Sequence, residues 1–318
     1  MKPTQIFAIL FAALMATCPF FLNAYWTDVM NNVGIYAILA LSLNVILGHA
    51  GLFHMGHAAF YAIGAYLTAI LNTQYGVPVL WLILPAGLMA GFFALIVARP
   101  IIHLRGDYLL IVTIGIVEIV RIALINNVFD ITGGANGIYG ISRPMLFGFK
   151  IAKPFHFYYL IWSFAALTIF LLIRLEHSRF GRALHYIKED EVAAGGCGIN
   201  IARYKLEAFV IGAVWAGMCG TIYASKMTII APESFSFDES VILFTIVILG
   251  GAGSIPGVIL GSFLLVGLPE VFRGFAEYRM LIFGAAMMAM MIFRNRGLLP
   301  PRPKRYKLGE IASAGGAK

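Results

Sequence analysis

The sequence predicts an all-α integral membrane protein: a polytopic bundle of about ten transmembrane helices, with one further helix held in a cytoplasmic loop. Three features point there. Apolar residues make up 60% of the 318 positions and charged residues only 12%, with a mean hydropathy of +0.87, too little polar surface to coat a water-soluble globule. The apolar residues fall in long windows, most of them near the roughly 20 residues that cross a hydrocarbon core of about 30 Å. The breaks between windows divide the 23 Lys and Arg residues unevenly, as the two sides of a membrane do.

In chain order the windows lie near residues 6–22, 33–48, 56–71, 78–98, 108–125, 157–173, 206–224, 240–250, 256–269 and 278–293. The first, opening on Lys2 and IFAILFAALMA, also fits a secretory signal peptide. The triplet Leu22-Asn23-Ala24 departs from a small-x-small cleavage site, and Thr17 before Cys18 does not suit lipid attachment, so a retained first span is expected. The eighth and ninth windows are short, which places the turn from Gly250 to Gly257 partly at membrane depth and shielded by protein.

With ten spans and the N-terminus inside, the cytoplasmic breaks hold Arg99, Arg105, Arg174, Arg179, Arg182, Lys188, Arg203 and Lys205. Both tails agree, through Lys2 at one end and Arg294, Arg296, Arg302, Lys304, Arg305, Lys307 and Lys318 at the other. The opposite side receives Arg143, Lys150, Lys153, Lys226, Arg273 and Arg279, so the count is 16 against 6 with Arg121 inside a span. The net charge of +8 is therefore a topology signal with attraction to anionic lipid. Nucleic-acid binding is not expected, since no basic stripe is interleaved with exposed aromatics. Cys18, Cys197 and Cys219 are an odd, scattered set that implies no disulfide framework.

The longest cytoplasmic loop, 174–205, contains KEDEVAAGGCGI. Glu189, Asp190 and Glu191 suit a helix start, where they face the positive end of the dipole, and Gly195, Gly196 and Gly198 suit its termination. That frames a helix of one or two turns, too short to be stable alone, so it requires a surface to lie on. Ala193, Ala194 and the glycines let such a surface approach closely.

The run EDEVAAGGCGINIARYKLEAF resembles the cytoplasmic coupling segment of bacterial ABC importer permeases, in particular the branched-chain amino acid permeases of the LivM type. GLFHMGHAAFYAIGAY (51–66), LRGDYLLIVTIGIVEIVR (104–121), TGGANGI (132–138), PESFSFDES (232–240), VILGGAGSIPG (247–257) and FRNRGLLP (293–300) are similar to that family's segments in order and spacing. The resemblance covers about residues 30–300. It implies one transmembrane permease domain over 1–300, with the coupling loop at 174–205 and a basic cytoplasmic tail at 301–318. It implies translocation of leucine, isoleucine and valine by alternating access across a bacterial inner (cytoplasmic) membrane, with both termini cytoplasmic. The partners it implies are a homologous second permease, two cytoplasmic ATPase subunits, a periplasmic substrate-binding protein and membrane lipid.

In that family the loop helix is a coupling helix seated in a groove of the ATPase. Carried over, Glu189, Asp190 and Glu191 meet the ATPase, while Ala193, Ala194 and Gly198 shape the fit. Gly195 and Gly196 depart from good helix formers, at about 1 kcal/mol each relative to Ala. Urea, amides and aromatic acids travel through similar permeases and stay open as alternative substrates.

Nothing in the sequence marks an enzyme or a cofactor site, and ATP is expected on partner subunits alone. GGAGSIPG at 250–257 lacks the lysine of a phosphate-binding loop. It echoes an earlier segment, since VILGHAG at 45–51 recurs as VILGGAG at 247–253. His49, His54 and His57 have metal-like spacing but no Asp, Glu or Cys nearby, so polar packing of a helix end near the cytoplasmic face is expected and no metal. Ser254 misses the glycine pattern of a nucleophile elbow.

Glu118 and Arg121 lie three apart inside the fifth window and are expected to pair. A proton-coupled secondary transporter, the rival reading, would show an unpaired carboxylate and have no need of a large cytoplasmic loop. Ser42, Asn44, Gly64, Thr113, Gly115 and Ser262 are small or weakly polar and are the expected lining of the translocation path. The longest external connection, 126–156, is the expected docking loop for the binding protein, through Gly133, Gly134, Asn136 and Gly137.

Overall fold

The computed structural model describes residues 15, 17–104, 106–146, 148–271, 278, 281, 284, 285, 288, 292 and 297–300. Most of the first and tenth windows, the tail 301–318, and Lys2, Arg105, Arg273, Arg279, Arg294 and Arg296 lie outside the described residues.

The other eight windows are helical. Window 33–48 lies in α1, Ala24–Asn44, which runs on as a π-helical turn Val45–His49. Then come α2 (His57–Tyr75), α3 (Val79–Ile101), α4 (Asp107–Ile125) and α5 (Pro154–His177). Two shorter helices, α6 (Arg179–Glu189) and α7 (Glu191–Gly196), precede the long α8 (Ile201–Met227). The described bundle closes with α9 (Phe237–Gly250) and α10 (Ile255–Ser262), which continues through a π turn Phe263–Gly267 into α11 (Leu268–Val271). Five helices, α1 with its π turn, α3, α4, α5 and α8, are long and apolar enough to cross a membrane.

Two of them form the centre. The apolar window of α1 is 83% buried and that of α8 is 72% buried, against 17% for α4. On α8 the packing is a seam of small residues: Gly217 meets Ala86, Gly87 and Ala90 of α3 on one side, and Gly64 of α2 on the other. Helix backbones in lipid gain by this close approach, because the surrounding acyl chains supply no hydrophobic drive of their own.

Hydrogen bonds sort the breaks into two ends, as strict alternation of spans requires. At one end Asn72 Nδ2 donates to Ser142 Oγ at 2.7 Å, Asn31 Nδ2 donates to the Pro154 carbonyl at 3.0 Å, and the Lys226 ammonium pairs with Asp28 at 3.0 Å. Four two-residue strands also lie there, an addition to the all-helical expectation. β1 (Ile138–Tyr139) pairs antiparallel with β4 (Ile229–Ile230), and β2 (Met145–Leu146) with β3 (Phe149–Lys150). This hairpin end ties the 126–156 connection to the segment that follows α8. The other, basic end holds the 48–56 break, α6, α7, the 250–257 turn and residues 297–300.

The chain between α1 and α2 does not simply turn at the basic end. The Ala58 amide at the start of α2 donates to Ser240 Oγ at 3.1 Å, and Ser240 lies in the first turn of α9, about 15 Å from that helix's far end. α2 therefore begins deep in the bundle. Residues 50–56 reach it as irregular backbone, with the Met55 amide satisfied by Thr113 Oγ1 at 3.2 Å. Such backbone is tolerated at membrane depth where protein encloses it.

Candidate functional site

The 174–205 segment is built by three caps. Ser178 accepts from the Gly181 amide at 3.1 Å and starts α6. Asp190, in an extended conformation, accepts from the Val192 and Ala193 amides at 2.8 and 3.0 Å and starts α7. Asn200 accepts from the Arg203 amide at 3.1 Å and starts α8. Gly198 then turns the chain at a φ of +82°, where a side chain would be strained. A helix of six residues from Glu191 to Gly196 has the expected one or two turns, but Glu189 ends α6 instead of starting this helix, and Gly195 and Gly196 are its last two residues.

Two of the three acids work inside the chain. Besides the Asp190 cap, the Glu191 carboxylate receives the Lys205 ammonium at 2.6 Å, where Lys205 is buried, and so fastens α7 to the foot of α8. Ala194 packs inward and is buried, whereas Glu189, Ala193 and Gly198 are exposed. Tyr186 and Val192 are exposed large side chains on the same segment, Val192 at 80%.

Lys188 links this segment to the bundle. It follows the buried Leu184 by one helical turn, so it shares the packed face of α6. Its stem lies over Gly51 and its ammonium donates to the Gly48 carbonyl at 2.7 Å. Partial burial lowers its pKa from the usual lysine value, with the neighbouring Glu189 pulling the other way. In sequence Lys188 registered only as a cation marking the cytoplasmic side; its position one turn beyond Leu184 was the usable signal.

Gly48 belongs to a glycine node that joins the two echoing segments. The Gly253 amide donates to Asn44 Oδ1 at 2.8 Å, and a Cβ on Gly48 would collide with both groups. Gly250 and Gly257 abut, and a Cβ on Gly297 would strike the Gly251 backbone. The Leu298 and Leu299 amides donate to Leu249 and Gly250 carbonyls at 2.9 and 3.1 Å. VILGHAG and VILGGAG are thus two helix ends seated against each other, and the absence of a side chain at Gly48 permits that contact.

Glu118 and Arg121 pair as expected, at 2.9 Å, and Arg121 also lies 3.8 Å from the exposed Glu233. The six residues expected to line a path divide sharply. Ser42, Asn44, Thr113 and Ser262 are buried and hydrogen-bonded: Ser42 Oγ lies 2.7 Å from His57 Nε2, Asn44 holds Gly253, and Thr113 and Ser262 donate to carbonyls of their own helices. A Cβ on Gly64 would strike the Gly217 backbone. At Gly115 a Cβ would meet no described atom within 4 Å.

Around Gly133 and Gly134 the hairpin end is organised by Asn127, whose Oδ1 accepts from the Thr132 and Gly133 amides at 2.9 and 3.0 Å. Gly133, Gly134 and Gly137 all have positive φ, Gly137 is packed on the Ile230 carbonyl, and Asn136 is exposed.

The histidines differ from expectation. His54 and His57 are fully enclosed in the bundle, not at its surface, because α2 starts so deep; His54 packs its ring against Phe60 and Phe209. His49 lies apart, with Nδ1 3.0 Å from the Asn44 carbonyl. Among the described residues no three His, Cys, Asp or Glu side chains converge as metal ligands.

Comparison with known proteins agrees along nearly the whole chain. Residues 25–291 match the family described as branched-chain amino acid transport system / permease component. The high-affinity branched-chain amino acid transport system permease protein LivM of Escherichia coli (strain K12) is 41% identical, over 98% of this chain and 78% of its own. LivM of Salmonella typhimurium is 40% identical, over 96% and 77%. A second kind of permease, LivH of Escherichia coli (strain K12), is 26% identical over 86% of this chain and 93% of its own. No solved structure matches the chain.

Proposed function

The chain belongs to the branched-chain amino acid transport system / permease component family, and from that premise we propose that it is the membrane-spanning permease subunit of an ABC importer for leucine, isoleucine and valine. The observation that carries this is the 41% identity to a LivM permease over 98% of the chain. Specific contacts support it. A segment fastened by Glu191 and Lys205, and reaching Gly48 through Lys188, has the form of a lever. A push on α7 from below would be delivered to the node where α1, α9 and α10 meet.

In this reading the chain moves substrate and hydrolyses nothing. Two cytoplasmic ATPases close on ATP and press the α6–α7 segment, whose exposed Tyr186, Glu189, Val192 and Ala193 form the contact surface. The inner membrane holds the bundle with its basic end in the cytoplasm. A periplasmic binding protein delivers the amino acid to the hairpin end, at the Asn127-ordered turn carrying Asn136. A homologous second permease completes the path.

The test is transport in proteoliposomes that contain the full importer. Uptake of labelled leucine, isoleucine or valine should require both ATP inside and the binding protein outside. Uptake of urea, an amide or an aromatic acid in place of all three would overturn the substrate assignment. Uptake driven by a proton gradient without ATP would overturn the importer itself.

A further inference from the structure

α4 is the least covered of the five long apolar helices among the described residues: 17% of its apolar window is buried. Leu109, Thr113 and Val117 form its one buried face. Tyr108, Ile111, Gly115, Glu118 and Ile122 recur every three or four residues and so share the opposite face, where Tyr108, Ile111 and Ile122 are exposed.

Two features of that face do not suit lipid. Glu118 and Arg121 keep 35% and 26% of their side chains exposed. Glu118 lies seven residues before the end of α4, about 10 Å below it at 1.5 Å per residue. Ionised groups at such depth turn towards protein or enclosed water, not hydrocarbon. Gly115, one turn further in, has open space where its Cβ would be, a notch that admits a second helix closely. α3 supplies the contrast. Its exposed face is Trp81, Leu84, Leu88, Phe92 and Leu95, with no charge among them, while Gly87 and Gly91 are spent inward on Met218 and Val214 of α8.

We propose that the Gly115–Glu118 face of α4 is the surface that meets the paired permease, with the ion pair sealed from lipid between the two subunits, while the exposed face of α3 meets lipid. This rests on the reading of the chain as one of two permeases. That reading is supported by its similarity to two differently named permeases of one organism, LivM and LivH. The partner surface is a helix that seats in the Gly115 notch and offers a hydrogen-bond donor to Glu118.

The experiment uses the complete importer in membranes, with p-benzoylphenylalanine placed at Ile111 or Ile122 on α4 and at Leu88 or Phe92 on α3. Irradiation should give an adduct with the summed mass of the two permeases from 111 and 122, and none from 88 and 92. Adducts from α3 alone, or from neither helix, overturn the proposal. Copurification of the second permease with the unlabelled chain is measured in parallel. Its loss would remove the paired-permease reading, whereas intact copurification without α4 adducts removes only this face.

Discussion

Gly64 in α2 and Gly115 in α4 look alike in sequence, each a single glycine in an apolar helix, yet the bundle treats them oppositely. At Gly64 the backbones of α2 and α8 touch, so that a Cβ would strike the Gly217 carbonyl. At Gly115 the same atom meets nothing described within 4 Å. Within one chain, a glycine in a membrane helix therefore marks a place of close approach only where another described helix packs against it. Where the surface is bare, the glycine either faces lipid, where it costs helix stability for no return, or awaits another subunit.

The largest effect expected from this contrast is at Gly64. Gly64→Val would force α2 and α8 apart along a seam that also includes Gly217 and Gly220. Overpacking a tight contact costs about 1–3 kcal/mol and sometimes more, and here the obstacle is backbone that cannot rotate away. Folded yield in mild detergent should fall by most of its value. Equal yields for Gly64→Val and Gly115→Val would show that the seam is not a close contact.

Next in size is the ion pair. Glu118→Gln leaves Arg121 with Glu233, at 3.8 Å, as its one acidic partner among the described residues. Exposed pairs contribute about 0–1 kcal/mol, and breaking buried ones costs about 3–5 kcal/mol. This half-covered pair should fall between, at about 1–2 kcal/mol in the isolated permease. Adding Arg121→Gln should recover much of the loss in thermal melting. A carrier that moved protons through Glu118 would behave differently: Glu118→Gln would fold normally, transport nothing, and gain nothing from the second change.

Much of this architecture was legible in the sequence, and the illegible parts share a cause. Span positions follow from local composition, so the window 78–98 became α3, Val79–Ile101, and 206–224 became the middle of α8. The short helix between Asp190 and Gly196 was visible because caps and terminators are also local. What stayed hidden needs two segments at once. The bond that Glu191 makes within the chain was hidden because its cation, Lys205, lies 14 residues on. The bond that Thr113 accepts was hidden because the Met55 amide that donates it comes from a distant loop. His57 read as an interfacial residue because nothing local shows that α2 starts beside Ser42 and Ser240. The echo of VILGHAG in VILGGAG hinted at the node, but the two copies need glycine for different contacts, Gly48 for Asn44 and Gly253 and Gly250 for Gly257.

Asp190 allows a smaller and sharper separation of cap from contact. Removing an N-cap carboxylate costs about 1 kcal/mol, so Asp190→Ala should fray α7 and speed hydrogen exchange over 191–196. Asp190→Asn keeps the cap and removes the charge. If the residue acts as a cap, Asn should restore both slow exchange and coupled uptake. Uptake lost in the Asn variant with exchange still slow would assign Asp190 a direct charge contact with the ATPase.

The smallest effect on the chain itself is expected at Gly115, and it bears most directly on the opening contrast. In a solvent- or detergent-exposed helix Ala is favoured over Gly by about 0.8–1.0 kcal/mol, and no described neighbour opposes the added methyl. Gly115→Ala should therefore leave the isolated permease as stable as before or slightly more so. In the full importer the methyl would stand in the notch, and Gly115→Leu would fill it. Thermal melting of the single chain and copurification of the second permease should then move in opposite directions, the first unchanged or raised and the second lowered, most for Leu. If Gly115→Leu leaves pairing intact, the notch is empty in the complex too, and α4 faces lipid as α3 does.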